Sequence, residues 1–395
     1  MIKKIAAHYI FPVVDKPIKN GVITYDESGK ILEISQPAFN IQEIAGLEFH
    51  AGILVPGFVN VHCHLELSHM KSMIPERTGL HGFVSKIAAN REKDEEIIVK
   101  TAQKYDIKMW HNGIAAVADI SNRNHTFGIK QKSKIIYHTF LEIFSTLPEL
   151  AQAKMNEALD LQNQLNSLGL PSSIVPHAPY SVSPQMFKLI NAHSTEKQQF
   201  ICMHNQECPS ENELYQTKTG NLYDVLSSLG VNFEAIPKTG KNSLESVMTL
   251  LNKSLRTILV HNTYTNKEDI QKASSWFENL YWTFCPNANL YIENKLPDIQ
   301  LFRQMNQKIT IGTDSLASNH QLSVLEEIKT ISNYFPEISL EELIKWATLN
   351  GAEALGFDNE LGSFEIGKSP GINLLNNLDL KNFKLTRDSN VIRIC

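Results

Sequence analysis

Short apolar runs alternate with longer amphipathic segments from residue 53 onward. The apolar runs, which are predicted strands, cover residues 53–64, 113–120, 134–144, 173–182, 199–207, 257–263, 281–288 and 308–315. Helical periodicity separates most of them, as over residues 92–111, 149–168, 184–193 and 267–277. Eight β-then-α units predict an α/β fold of the (β/α)8 TIM-barrel type, in which nearly continuous apolar strands are buried on both faces.

The two ends of the chain carry short strands and turns instead. Residues 21–25 and 30–34 flank a turn that ends at Gly29, which is typical of a hairpin. Neither end is long enough to bury a core alone, so we expect the two ends to pair. The predicted domains are a small β-sandwich-like domain from residues 1–54 and 358–395, and a barrel over residues 55–357.

The last amphipathic segment carries signals at both of its ends. Ser339 is followed three residues later by Glu342, which is the pattern of a capping box at the start of a helix. We expect this helix to run to about Leu355 and to stop at Gly356, because glycine commonly ends helices.

Composition and charge narrow the class of protein. Hydrophobic residues make up 42% and charged residues 20% of 395 residues, which is typical of a globular chain. The 37 Lys and Arg residues against 42 Asp and Glu residues leave a formal charge of −5, so a nucleic-acid partner is not expected. The five cysteines are widely spaced without a C-x-x-C, which favours a reducing compartment. With neither a signal peptide nor a long apolar run, we expect a cytoplasmic protein without membrane contact.

Ionisable side chains stand at the ends of several predicted strands. His62 and His64 are two residues apart on the first barrel strand, so both imidazoles point to the same side. His204 with Glu207, His261 and Asp314 end three further runs. Because strand ends of a barrel converge on one rim, these groups are expected to form one site, and the His pair favours a metal.

The motifs around these residues resemble the amidohydrolase superfamily over nearly the whole chain. The matching segments are PGFVNVHCH at 56–64, HAPYS at 177–181, HNQE at 204–207, VHN at 260–262, GTDSLASN at 312–319, ATLNGA at 347–352 and LGSFEIG at 361–367. The likeness is to the aminohydrolase and chlorohydrolase branch, which includes adenosine, S-adenosylhomocysteine, aminodeoxyfutalosine and guanine deaminases. The resemblance implies a metal-dependent hydrolase acting on non-peptide carbon–nitrogen bonds.

The resemblance also implies a set of site residues. The expected metal ligands are His62, His64, His204 and Asp314, and the expected catalytic residues are Glu207, His261 and Asp314. Binuclear members bridge two metals with a carboxylated lysine at the fourth strand, whereas residues 174–180 contain none, which favours one divalent metal. Three imidazoles and a carboxylate suit Zn²⁺, and Fe²⁺ stays open.

The implied reaction is the hydrolytic deamination of an amino-substituted heterocycle, with a 6-aminopurine nucleoside derivative as the expected small-molecule substrate. Glu207 is expected to protonate the ring, while His261 holds the attacking water. The residues expected to contact substrate are Glu66, Arg77, His177, Tyr180 and Asn289. Loop 65–89 is long enough to cover the site.

Some alternatives stay open at this point. Glu66 and Arg77 also have interpretations without a function in the site: Glu66 as a solvated acid in a loop, and Arg77 as an exposed cation. Two other reactions of the same fold are alternatives, chloride removal and cyclic-amide hydrolysis. A third class of function is a barrel that binds a ligand without catalysing a reaction. The sequence allows a homodimer and does not decide it.

Overall fold

A computed structural model of the chain describes residues 2–37 and 44–395. The strands are β1 (Lys3–Ile10), β2 (Ile18–Lys19), β3 (Val22–Tyr25), β4 (Ile31–Ser35), β5 (Leu47–Pro56), β6 (Phe58–Cys63), β7 (Ile114–Ser121), β8 (Ile136–Ile143), β9 (Ser172–Pro176), β10 (Ile201–Asn205), β11 (Arg256–His261), β12 (Asn279–Phe284), β13 (Ile309–Ile311), β14 (Ile372–Asn376) and β15 (Asn390–Arg393). The α-helices are α1 (Gly79–Asn90), α2 (Glu95–His111), α3 (Phe127–Lys132), α4 (Ala151–Ser167), α5 (Pro184–Lys197), α6 (Pro209–Thr217), α7 (Asn221–Ser228), α8 (Ser243–Val247), α9 (Lys267–Trp276), α10 (Pro286–Glu293), α11 (Ile299–Gln304), α12 (Val324–Tyr334), α13 (Leu340–Ala347) and α14 (Leu349–Leu355).

Two parallel four-stranded sheets form the centre of the molecule. One has the order β6-β7-β8-β9 and the other β10-β11-β12-β13, and each of the eight predicted runs overlaps one of these strands. Backbone hydrogen bonds join the sheets at both flanks: the His204 amide donates to the His177 carbonyl (2.9 Å), and the Asp314 amide donates to the His62 carbonyl (3.0 Å). The carboxyl ends of all eight strands therefore lie at one end of the molecule.

Strands from both ends of the chain share a third sheet. Its order is β15-β14-β5-β1-β3-β4, with β2 paired to β1. The predicted hairpin is confirmed as β3 paired antiparallel with β4, and β14 pairs antiparallel with β5. The seven strands are hydrogen-bonded as one sheet, which differs from the sandwich-like arrangement expected from the sequence.

The predicted helix from Ser339 to Leu355 is in fact two helices. Its start is confirmed, because the Ser339 hydroxyl accepts from the Glu342 amide at 3.2 Å. Thr348 interrupts it with φ −131° and ψ −85°. The Thr348 hydroxyl donates a hydrogen bond to the Ile344 carbonyl at 2.6 Å. The break redirects α14 so that it packs on β6. A Cβ added at Gly351 would lie only 2.8 Å from the Val59 Cβ, so the two backbones approach closely there.

The segment predicted as loop 65–89 is mostly helical. A 3₁₀ helix covers Leu65–Met70 and α1 begins at Gly79. Leu80, Phe83 and Ile87 give α1 an apolar face, which packs against the hydrophobic core. This packing stabilises a helix where the sequence predicted a loop. None of the helices in the described residues combines the length and apolarity needed to cross a membrane.

Candidate active site

Five ionisable side chains meet at the carboxyl ends of the central strands. His62 lies on β6, His204 on β10 and His261 on β11. His64 directly follows β6, and Asp314 lies three residues after the end of β13. All five are buried. The Nε2 atoms of His62 and His64 are 3.1 Å apart, and they lie 3.6 and 3.4 Å from the Asp314 Oδ1 atom. The structure thus brings together residues separated by up to 252 positions in the chain.

Unusual backbone conformations aim these side chains. Gln206, His261, Asn262 and Asp314 have positive φ angles of 45°, 73°, 58° and 56°. A left-handed conformation costs a non-glycine residue about 1 kcal/mol or more, so the surrounding hydrogen bonds must hold it. The Asn262 side chain does so at one strand end, donating to the carbonyls of residues 259 and 283 at 2.9 and 3.2 Å.

Hydrogen bonds from outside the cluster orient its members. His204 Nδ1 lies 2.9 Å from the His177 carbonyl oxygen, which places the proton on Nδ1 and leaves Nε2 as an acceptor. The Ser318 hydroxyl donates to Asp314 Oδ2 at 2.5 Å, so Oδ1 is the oxygen that faces the imidazoles. His204 and Asp314 are therefore each fixed with one electron-pair donor, Nε2 and Oδ1 respectively, turned toward the centre of the cluster.

Burial determines the charge state of the imidazoles. It lowers the pKa of His62 and His204 to about 4 and that of His64 to about 3. Burial also lowers the pKa of His261 well below 6.5. For Asp314, burial would raise the pKa, but the hydrogen bond from His62 and the nearby imidazoles outweigh it and hold the pKa well below 3.8. The cluster is thus neutral imidazoles around one carboxylate.

This donor set fits a divalent cation. Two groups that share His62 have all their donor atoms within 4.8 Å of one another: His62, His64 and His204, and His62, His261 and Asp314. The separations of 3.1–3.6 Å around His62, His64 and Asp314 match the edge of about 3.3 Å expected for tetrahedral bonds of ~2.0 Å. In addition, Nδ1 of both His62 and His261 is buried without a hydrogen-bond partner among the described residues.

Glu207 is an acid placed beside the cluster. Its Oε2 lies 3.8 Å from His261 Nε2, and its side chain is buried. Burial, followed by repulsion from Asp314 and Glu211, raises the pKa of Glu207 well above 4.5, which favours its protonated form. Glu211, which sequence reasoning missed, accepts from the Glu207 amide at 2.6 Å and fixes the turn. Its position three residues after Cys208 at the start of α6 was an available signal.

A cavity of about 600 Å³ opens onto the donor cluster. Two of the predicted substrate residues, His177 and Tyr180, line it. The apolar part of its wall is formed by Leu67, Leu80, Phe83, Val84, Ile87, Ala88, Phe144, Leu147, Leu150, Leu226, Leu229 and Val231. A volume of this size with a few polar groups at one end is typical of small-molecule sites.

Three predicted substrate residues do not line this cavity. The Glu66 carboxylate is buried beside it, accepting from the Asn122 amide at 3.2 Å and lying 3.5 Å from Arg91. Arg77 is exposed to solvent. Asn289 is buried and donates to a threonine hydroxyl, that of residue 263, at 2.6 Å. The orientation of these three side chains depends on tertiary packing, which their sequence positions do not reveal.

Three polar residues that the sequence did not indicate line the cavity instead: Arg91, Asn122 and Glu142. Glu142 ends β8, so the acid near the end of predicted run 134–144 was a usable signal. Burial raises the pKa of Glu142 to about 8, against the lowering effect of its hydrogen bond from Asn122. Arg91 follows α1, and nothing in the local sequence marks it.

The geometry matches a known family of enzymes. The amidohydrolase family model matches residues 53–394. The chain belongs to the amidohydrolase family. This amidohydrolase is 24% identical over 331 residues to a Helicobacter pylori protein named adenosine deaminase, a match that covers 81% of this chain and 78% of that protein. The family resemblance inferred from the motifs is thereby confirmed.

Solved structures share the fold of this amidohydrolase. Helicobacter pylori aminofutalosine deaminase in complex with methylthio-coformycin superposes with a TM-score of 0.78 at 22% identity, covering 97% of this chain and 93% of that one. A Xanthomonas campestris adenosine deaminase with bound zinc gives a TM-score of 0.75 at 19% identity, with coverage of 97% and 87%. At such identities the likeness establishes the fold.

Proposed function

We propose that this amidohydrolase is a metal-dependent deaminase of a 6-aminopurine nucleoside derivative, releasing ammonia. The observation that carries the proposal is the buried Glu207 carboxyl group, whose Oε2 lies 3.8 Å from His261 Nε2 beside the donor cluster and whose pKa is raised. A proton donor at that position is what an amine leaving from an aromatic ring requires. The names of the Helicobacter and Xanthomonas relatives support the same chemistry.

We assign one divalent metal to His62, His64, His204 and Asp314, with Zn²⁺ favoured by the donor set and by the zinc-bound Xanthomonas structure. Such a metal lowers the pKa of water toward ~7 and so supplies a nucleophile at neutral pH. The neutral imidazoles match this role, because a protonated imidazole has no electron pair to donate.

The residues of the chain then move the protons. Glu207 donates its proton to the ring nitrogen next to the reacting carbon, takes up a proton from the attacking water and passes that proton to the leaving amine. The second proton of the water restores Glu207 as the ring carbonyl forms and the carbon–nitrogen bond to ammonia breaks. His261 holds the attacking water by a hydrogen bond, and Asp314 accepts a hydrogen bond from the same water. His177 and Tyr180 line the space left for the ring.

The cavity supports a nucleoside derivative over a bare base. Its apolar wall on α1 and around Leu226 extends the space beyond the donor cluster, so a substituted sugar has room. The alternative reactions, chloride removal and cyclic-amide hydrolysis, use the proton donor less fully. Chloride in particular leaves without a proton, so Glu207 would protonate only the ring nitrogen and not the leaving group.

Four further assignments are proposals of the same kind. The two parallel sheets would act as one TIM barrel over residues 55–357, flanked by a small domain from residues 1–54 and 358–395. The hydrogen bonds at both sheet flanks support the barrel, and the pairing of β14 with β5 supports the small domain. The cytoplasmic location and the homodimer stay predictions.

A substrate panel and a metal assay test the proposal together. We expect one metal per chain by elemental analysis and ammonia release from adenosine, S-adenosylhomocysteine or aminodeoxyfutalosine in preference to cytosine or guanine. Two metals per chain would contradict the mononuclear site. Turnover of a triazine or a cyclic amide, with none of any adenine derivative, would overturn the deaminase assignment.

A further inference from the structure

The Glu142 carboxyl group is a cavity-lining acid without a complete set of partners. It is only 7% exposed. Its Oε2 accepts one long hydrogen bond from the Asn122 side chain, at 3.4 Å. Its Oε1 lies 3.4 Å from His204 Nδ1, but the proton on that nitrogen points to the His177 carbonyl at 2.9 Å. A buried carboxyl group with unused acceptor positions is unfavourable unless a ligand supplies donors.

The groups around Glu142 are held in place from behind. The Asn122 amide nitrogen donates to the Glu142 backbone carbonyl at 2.9 Å, and its oxygen accepts from Arg91 at 3.1 Å. Glu66 lies 3.5 Å from the same guanidinium and also accepts from the Asn122 backbone. The carboxylate oxygens of Glu66 are thus occupied by Arg91 and Asn122, whereas those of Glu142 stay available to the cavity.

We propose that Glu142 binds the vicinal hydroxyls of the substrate's sugar, an inference that rests on the proposed deamination of a nucleoside. A carboxyl group presents two oxygens to a pair of neighbouring hydroxyls whether or not it carries a proton. The His204 ring separates Glu142 from the donor cluster. A group held by Glu142 is therefore displaced from the reacting carbon by about one ring, as the sugar is from the amino-bearing carbon of a purine nucleoside.

The test compares two substrates on three proteins, the wild type and two Glu142 variants. Adenosine and 2′,3′-dideoxyadenosine are compared as substrates of the wild-type enzyme and of Glu142→Gln and Glu142→Ala. We expect both variants to lower kcat/KM for adenosine by about 10- to 100-fold, the range for a hydrogen bond to an ionisable group. The dideoxy substrate should change by less than about threefold, because it lacks the hydroxyls that the residue binds.

Glu66→Gln is the matched control, since it alters a buried acid of the same network outside the cavity. We expect it to leave the ratio of the two substrates as in the wild-type enzyme. Equal losses for both substrates in the Glu142 variants, together with a lower metal content, would assign Glu142 to positioning His204 and would overturn the proposal.

Binding separates this inference from the proposed reaction. Adenosine and its dideoxy analogue can be titrated calorimetrically into metal-loaded protein, whether or not either is deaminated. If deamination fails but Glu142→Gln weakens only adenosine binding, the sugar contact stands and the proposed reaction falls. If deamination proceeds and the variant weakens both ligands equally, the reaction stands and the sugar contact is refuted.

Discussion

Two buried polar clusters in the central sheets differ in how their hydrogen bonds are satisfied. At the strand ends, His62 and His261 each keep a buried nitrogen without a partner among the described residues. Close by in the first sheet, where Asp119 is in register with Cys63, the buried Lys130 of α3 donates all three of its ammonium protons. Its Nζ lies 2.6 Å from Asp119 and donates to two hydroxyls, those of residues 121 and 139, at 2.9 and 3.1 Å.

The difference separates structure from function. Asp119 also accepts from the Leu65 amide at 2.7 Å, so the Lys130 cluster closes on itself and links the segment after His64 to the central strands. Such a cluster needs nothing from outside. At the strand ends, by contrast, Nε2 of His62 and His64 and Oδ1 of Asp314 face one another with electron pairs that a bound cation would accept.

The largest expected effect comes from breaking the closed cluster. Lys130→Met removes one partner of a fully buried ion pair and leaves Asp119 charged without compensation. We expect the free energy of unfolding to fall by about 3–5 kcal/mol. Urea unfolding of the metal-free protein measures it.

Lys253→Met is the control, because Lys253 faces Glu278 in an ion pair whose two side chains are 60% and 54% exposed. Its unfolding midpoint should barely move. A Lys130 variant as stable as the Lys253 variant would show that the closed cluster is not structural.

A second prediction concerns the open cluster. Glu207→Gln removes the proton donor, while the four assigned ligands stay in place. We expect deamination to fall by a factor on the order of 100 or more, with metal content unchanged. Glu213→Gln changes an exposed glutamate on α6, which begins two residues after Glu207, and should keep wild-type activity. Loss of metal from the Glu207 variant would make this residue a ligand.

A third prediction concerns the pH dependence of stability that comes from a buried imidazole whose hydrogen bond is made inside the protein. His138 is buried against Phe140 and Phe200, bonds Ser173 at 3.0 Å, and has a pKa lowered to about 3 by burial. The unfolded imidazole takes up a proton below pH ~6.5 and the folded one does not, so its contribution to stability is lost as the pH falls.

His138→Phe should therefore reduce the loss of stability between pH 7.5 and pH 5 by about 2 kcal/mol. Urea unfolding at the two pH values, with wild-type protein beside the variant, measures the difference. Parallel stability profiles would mean that His138 is protonated in the folded protein at pH 5.

The smallest effect is expected from the hydrogen bond behind Asp314. Ser318→Ala removes the hydroxyl that orients the carboxylate, so metal affinity should fall about 10-fold. Competition with a chromophoric chelator measures this affinity. Ser274→Ala, a change on the exposed side of α9, should leave it unaltered. An unchanged affinity in Ser318→Ala would show that Asp314 is positioned without this bond.

The sequence predicted what local pattern and chain order determine. Eight strands followed from apolar runs, and His62, His204 and Asp314 could be expected together because parallel strand ends share one rim. The break at Thr348 was missed, since packing of α14 on β6 decides it. The pairing of Lys130 with Asp119 was also missed, because a lysine on a short helix gives no sign that it points inward.

The substrate side was the least predictable part. Glu66 lies two residues after a predicted ligand, yet it pairs with Arg91 at the far end of α1. Which of two nearby acids faces the cavity depends on side-chain conformations fixed by partners distant in sequence. Motif position alone therefore favoured Glu66 where the structure turns Glu142 toward the cavity.

The pairing of β14 with β5 has a consequence for synthesis on the ribosome. More than 300 residues separate these adjacent strands, which corresponds to roughly 15–60 s of translation at 5–20 residues per second. Until the last strands emerge, one edge of β5 stays unpaired, and a bare strand edge invites pairing with other chains. The nascent polypeptide therefore depends on chaperones, or on rapid folding of the intervening sheets, to reach its final segment without aggregating.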